Sequence, residues 1–348
     1  MTRQQLFNPR VIFNFRFGIA DSIRPIFLTL LLVLAIFPLW PVRLPAAELP
    51  TIEVGLPQDG LFGLGGQYII DKGLDRKNGF IMKPRWAGVP EILRLLGIQA
   101  VSVGLMTPEA CLRANANGVP LRLVQPYQTA HMYVLVRKES PYQSIDDLKG
   151  KSIALTPEVT TLYNLFDFMN RKRGVNIEKT FQLKKLGAPA IIAVLEKGDV
   201  EAGILWEAHV SRLLSSGKYR VILGFRDELA KTLNAKTLPV IWLAALEPWL
   251  KTNPDSVAKL RGAWSEADRG VQQDEAHFRK YAKQFFGLES PAEVTLAWQR
   301  TKIFLLPTDF KWPDAATLNA EKSWLQQGVD LGMFPKESAG FIDVMFTP

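Results

Sequence analysis

The chain of 348 residues has one cysteine, Cys111, and three histidines, His131, His209 and His277. A lone thiol forms no intrachain disulfide, so a domain of this size relies on its apolar core. Cys111 reads as a small buried apolar residue on a helix. The histidines lack the spacing of a metal pair, and no Gly-x-Ser-x-Gly elbow is present. Gly150-Lys151-Ser152 resembles the end of a phosphate loop, but Ile145 stands where that loop needs a glycine. Gly60, Gly63, Gly65 and Gly66 read as a glycine-rich turn after a strand, yet Tyr68 occupies the place of the last glycine of the dinucleotide pattern. No acid follows at the end of the next strand to hold a ribose. These absences argue against an enzyme, a metal site and nucleotide binding, and they call for no cofactor. Low-complexity tracts are also missing, so wholesale disorder is not expected.

No apolar run is long enough to read simply as a membrane span. The longest, residues 26–40, is broken by Thr29 and Pro38 and falls short of the roughly 20 apolar residues that a spanning helix needs. Arg3, Arg10, Arg16 and Arg24 precede it, and Pro41, Pro45, Ala46 and Ala47 follow. This order reads as a secretory signal over residues 1–47, which places the rest of the chain in the periplasm. Pro45 suits cleavage after Ala47 poorly, so retention of the segment as an anchor stays open. No cysteine follows the run, which excludes a lipoprotein anchor there. Removing residues 1–47 leaves 37 basic against 33 acidic residues and lowers the net charge from +8 to +4. Much of the basicity therefore belongs to targeting, and a nucleic-acid partner is not indicated.

What remains alternates strand with helix. Residues 51–56, 81–86, 100–105 and 121–125 read as strands, and helices fall near 65–73, 90–96 and after Thr107-Pro108-Glu109. A further strand, 132–137, leads into a second series. Its strands are 152–155, 181–186, 202–205 and 220–223, with helices at 160–173, 189–197 and 207–216. A return strand spans 240–246, after which the pattern is helical, with Trp264, Trp298 and Trp324 as core anchors. Alternation of this kind builds parallel sheets. Two series joined by two strands predict two lobes: residues 48–130 with 240–348, and residues 131–239. Open α/β sheets bind ligands at the carboxyl ends of their strands, so the cleft is expected between the lobes. Asp59, Glu109 and Glu207 stand at strand-to-helix turns, where helix capping and ligand contact are both open readings.

The order of Ile52-Glu53-Val54-Gly55, Ser144–Ala154 (SIDDLKGKSIA), Leu195–Gly203 (LEKGDVEAG) and Trp206 is similar to that of the periplasmic solute-binding proteins of nitrate, sulfonate and taurine ABC importers, and to the related thiamine-precursor binders. The likeness covers nearly all of the chain after residue 47, including Gly332-Met333-Phe334-Pro335 near the end. It implies an α/β, two-lobed periplasmic binding protein fold of type II, with two crossover strands and a helical C-terminal tail packed on lobe one. It also implies a monomer that captures a small solute and delivers it to an inner-membrane permease. Carried over position by position, the implied ligand residues of lobe one are Gln58, Asp59, Trp86, Gly88, Met106 and Thr107, with Tyr127 and Gln128 near the hinge. Those of lobe two are Thr160, Thr161, Gly187, Ala188, Trp206 and Glu207. The chain departs from the pattern at Leu96–Ala100, and no arginine stands at a cleft turn of lobe two. A doubly charged anion thus lacks a clamp, and a zwitterion or aminated heterocycle is as open as a sulfonate. An enzyme of the thiamine pathway or an anchored sensory domain on the same fold is the alternative.

Overall fold

Ile52, Val54 and Leu56 are buried at every second position of a strand, the period that turns alternate side chains to one face. That strand, β1 (Thr51–Pro57), pairs in parallel with β2 (Ile81–Ala87) and β3 (Val103–Met106). A computed structural model describes residues 48–306 and 314–346, and the described residues from 49 onward form one compact unit. The expected signal segment, residues 1–47, lies outside the described residues. No described helix is long and apolar enough to cross a membrane.

The first sheet has the order β2-β1-β3-β10-β4, with β4 at Leu121–Thr129 and β10 at Pro239–Leu246. β10 runs antiparallel to both neighbours, so it is the return strand that closes lobe one. The second sheet has the order β7-β6-β8-β5-β9. Its strands are β5 (Met132–Arg137), β6 (Ser152–Leu155), β7 (Gln182–Lys185), β8 (Ala202–Trp206) and β9 (Tyr219–Gly224). The chain passes to lobe two between β4 and β5 and returns between β9 and β10. One apolar cluster runs across the junction, from Ile92 and Met106 of lobe one through Ala130, Met132 and Trp242 to Phe166 and Phe225 of lobe two.

Helices cover these sheets: α1 (Gly60–Asp71), α2 (Val89–Gly97) and α3 (Pro108–Ala116) in lobe one, and α4 (Thr161–Arg171), α5 (Ala188–Lys197), α6 (His209–Ser215) and α7 (Phe225–Leu233) in or next to lobe two. The tail adds α8 (Glu247–Thr252), α9 (Ser256–Val271), α10 (Glu275–Phe286), α11 (Pro291–Thr301) and α12 (Ala315–Asp330). α9 and α10 lie on α1, while α11 also reaches α6 and α12 also reaches α7, so the tail touches lobe two as well. Trp264, Trp298 and Trp324 are buried core anchors, as expected.

The glycine-rich stretch corrects one expectation, because the helix expected from Gly65 begins earlier and takes in Gly60 and Gly63, so these glycines belong to helix α1 and not to a turn. A Cβ on Gly63 would stand 2.4 Å from the Pro57 carbonyl oxygen, and one on Gly65 would stand 2.1 Å from the Tyr127 hydroxyl. The glycines offset their low helix propensity by letting α1 lie directly on β1 and β4.

Asp268 on α9 is buried, with Oδ1 lacking a partner. Burial pushes its carboxyl up to about 8, against the opposing charge of Arg269. The folded value exceeds the unfolded one of about 3.9. The corresponding stability is therefore complete below the unfolded value and is lost as pH rises through about 8. Asp268→Asn is expected to flatten the pH dependence of urea unfolding across that window. An unchanged slope would count against the assignment.

Candidate functional site

Strands that end in parallel leave their carboxyl ends along one edge of each lobe, where the following helices begin. In lobe one those beginnings are Asp59 before α1, Gly88 before α2 and Thr107 before α3. In lobe two they are Thr160 before α4 and Gly187 before α5, while Trp206 ends β8. Thr160 caps its own helix by accepting from the Tyr163 N–H. No side chain caps α1, α2 or α5, so their first N–H groups stay available to an outside acceptor, whereas at the start of α3 Pro108 has no N–H and the Glu109 N–H is taken by its own carboxyl.

Several expected residues are brought together across the junction. Gln58 and Asp59 are exposed, and the Gln58 amide reaches the Trp86 carbonyl at 3.4 Å. Trp86 is half-buried, its ring 5.8 Å from that of Phe285. On the facing lobe Trp206, also half-buried, stands edge-on to His209 with ring centroids 5.0 Å apart. Burial lowers the proton affinity of His209, and the charge of Asp59 opposes this, which puts Asp59 within electrostatic reach of the Trp206–His209 pair. Thr161 of lobe two donates to Glu109 Oε1 at 2.5 Å and to Thr107 Oγ1 at 3.3 Å. Thr107 and Thr161 therefore do meet, but around a carboxyl of the chain itself. Gly88 and Gly187 are exposed, whereas Ala188 is buried.

Four expected residues have interior roles in this structure. Tyr127 lies near the end of β4, beside the crossing to lobe two; it is buried against Phe62, and its hydroxyl donates to the Leu61 carbonyl at 3.2 Å. An apolar ring with one satisfied hydroxyl is a core arrangement. Met106 is buried in the apolar cluster that joins the lobes. Gln128 is buried and lies 2.5 Å from His131 Nδ1; burial holds that imidazole down at about 4, hence neutral. Glu207 is buried too, accepting from Arg300 Nε at 2.6 Å, Ser211 Oγ at 2.6 Å and the Ser211 N–H at 3.1 Å. Its carboxylate is an internal ion-pair partner, because a buried charge needs a counter-charge and hydrogen bonds nearby.

Arg300, His209 and Ser211 are the junction residues that sequence reasoning missed. Arg300 lies on tail helix α11, with its guanidinium 4.7 Å from the centre of the Tyr133 ring. Neither its position nor its neighbours on that helix mark it. His209 could have been found from its place three residues after Trp206, at the start of α6. Among the described residues no cluster of histidine, cysteine or acidic side chains could hold a metal ion.

Uncapped helix ends and half-buried indoles thus stand on two lobes, with no metal cluster among the described residues. A family model described as "ABC transporter, phosphonate, periplasmic substrate-binding protein" matches residues 74–279. A putative aliphatic sulfonates-binding protein of Escherichia coli (strain K12) is 25% identical over 243 residues, covering 68% of this chain and 69% of that one. The crystal structure of the periplasmic aliphatic sulphonate binding protein from Escherichia coli superposes with a TM-score of 0.68 at 21% identity, covering 82% of this chain and 94% of that one. The alkanesulfonate-binding protein of Xanthomonas axonopodis pv. citri bound to MOPS gives a TM-score of 0.67 at 20% identity, covering 87% and 99%. Because the family model spans more than half of the sequence, and the two-lobed fold agrees with it, the chain belongs to the family of ABC-transporter periplasmic substrate-binding proteins of the phosphonate type and is the solute-binding component of an importer rather than an enzyme.

Proposed function

We propose that the solute is a small monoanionic organosulfonate, held between the lobes and handed to an inner-membrane permease. The observation that carries this reading is the set of uncapped helix starts at Asp59, Gly88 and Gly187. They offer N–H donors and the positive ends of helix dipoles to one negative head group. Trp86 and Trp206, half-buried beside them, supply apolar walls for a short carbon chain. Thr160 and Gln58 stand at the rim as polar contacts. The names of the relatives, aliphatic sulfonate binders, agree with a head of single charge. Arg300 is committed to Glu207 and Arg113 to Asn164, so neither offers a dianionic phosphonate the bidentate partner that such heads favour.

A second reading is favoured by Asp59. Exposed at the rim beside an imidazole that burial keeps from charging, it repels a bare anion and attracts an ammonium group. An aminosulfonate satisfies both ends. Capture closes the lobes only in so far as the solute binds the closed form more tightly.

A thermal-shift series on the full chain tests this, using ethanesulfonate, taurine, methylphosphonate, nitrate and an aminopyrimidine. A solute at about a hundredfold excess over its Kd stabilises by about 2.7 kcal/mol, a rise of a few degrees. The expected result is a shift with ethanesulfonate or taurine, the larger with taurine if Asp59 contributes. A shift confined to methylphosphonate or the aminopyrimidine would overturn the sulfonate assignment.

A further inference from the structure

Glu109 is the second residue of α3, and its side chain is enclosed at the contact between lobe one and the start of α4 in lobe two. Thr161 donates across that contact to Oε1 at 2.5 Å, while Oε2 is buried with no partner. One helical turn further on, Arg113 donates to Asn164 Oδ1 at 3.0 Å, so α3 and α4 are tied at two successive turns. Both ties join side chain to side chain between the lobes, with no solute taking part. No ion pair engages Glu109 among the described residues.

A carboxylate in this place would leave a full charge out of water with no counter-ion paired to it. A neutral acid with one unpaired oxygen carries only the desolvation of a polar group. The second cost is smaller, so the closed contact favours the acid form. We propose that Glu109 is the closure-setting residue of this receptor: its protonated carboxyl, carried by lobe one, hooks Thr161 of lobe two, and opening of the lobes releases that proton.

The surrounding charges agree. On its own helix Arg113 favours the anion, as do the Thr161 and Thr107 hydroxyls, yet burial outweighs them and pushes the carboxyl up. Cys111 on the same helix is held as the thiol by burial. From α12 comes Glu321, fully buried with Oε1 unpartnered; burial first, and then the charge of Glu109, push its carboxyl well up. From α4 the facing groups, Thr161 and Asn164, are neutral. Arg122 of β4 is committed to Glu247, and Lys336 and Glu337 of the 336–341 turn are exposed. When the lobes part, water reaches Glu109, while Arg113 and the start of α3 favour its ionised form. The carboxyl value is thus higher in the closed form. Closure is complete below the open-state value and is lost as pH rises through the closed-state value.

This inference rests on the capture reading only in requiring that the lobes move. Its experiment uses no solute, so its failure and the failure of the sulfonate assignment are separate results. Spin labels are placed on the full chain through Ile98→Cys in lobe one and Val159→Cys in lobe two, whose native side chains are 59% and 82% exposed. Cys111, at 0% exposure, stays unlabelled. Pulsed dipolar spectroscopy then reads the inter-lobe distance from acid to alkaline pH. The expected result is a short, narrow distribution in acid that gains a longer component as pH rises. In Glu109→Gln the short distribution persists at every pH. In Thr161→Val the longer component is present even in acid. A pH-independent distance in the otherwise unchanged protein overturns the proposal, as does a Glu109→Gln profile that follows it. Should Glu109→Gln fail to fold, a Thr161→Val distribution identical to that of the parent overturns it equally.

Discussion

Arg300→Met is expected to destabilise the folded chain by about 3–5 kcal/mol, the usual consequence of stripping one partner from a buried ion pair. The Glu207 side chain has no solvent exposure, while Arg300 is 22% exposed, and their contact is 2.6 Å. Without the guanidinium, Glu207 keeps only the two bonds from Ser211, and a full negative charge stays out of water. The pair also joins tail helix α11, which packs in the lobe-one core through Trp298, to the end of β8 in lobe two. The double variant Arg300→Met/Glu207→Gln removes both charges and is expected to recover most of the loss. Urea unfolding of parent, single and double variants measures this. A loss below about 1 kcal/mol in the single variant, the level of a surface pair, would show that solvent reaches the carboxylate.

Trp206→Ala is expected to weaken sulfonate binding at least about tenfold, or 1.4 kcal/mol, while the chain stays folded. The indole is only half-buried; it ends β8, stands edge-on to His209 and packs on the core with part of its surface, so its exposed part is what the proposed solute would lose. Trp242 is the contrast. It is fully buried at the lobe junction, and its indole N–H donates to the Pro239 carbonyl at 2.9 Å. Calorimetric titration with ethanesulfonate or taurine, whichever shifts the melting point, reads the Trp206 effect. Unchanged affinity in a folded Trp206→Ala protein would place the solute elsewhere.

Much of the architecture was legible in the sequence. The alternation of short apolar strands with helical stretches identified β1 to β10 to within a few residues, and Thr107-Pro108-Glu109 marked the start of α3. Trp206 stands at the end of β8, where the pattern put it. The glycine-rich stretch misled because glycine speaks for a turn locally, while here it serves close contact between α1 and β4. Tyr127 misled because β4 runs on past Gln125 to Thr129, which carries the ring into the core.

By itself, then, the sequence determined the order of strands and helices, the division into two α/β series, and which turns carry helix starts. Those properties follow from hydrophobic period and capping chemistry, which act between residues only a few positions apart. Only the tertiary structure decided how the acids are used. Glu207 finds Arg300 from 93 positions away, and Glu109 finds Thr161 from 52. Such partners meet because two lobes and a returning tail are packed together, and burial at that meeting place decides whether a carboxyl serves as a charge, an ion-pair partner or a proton carrier.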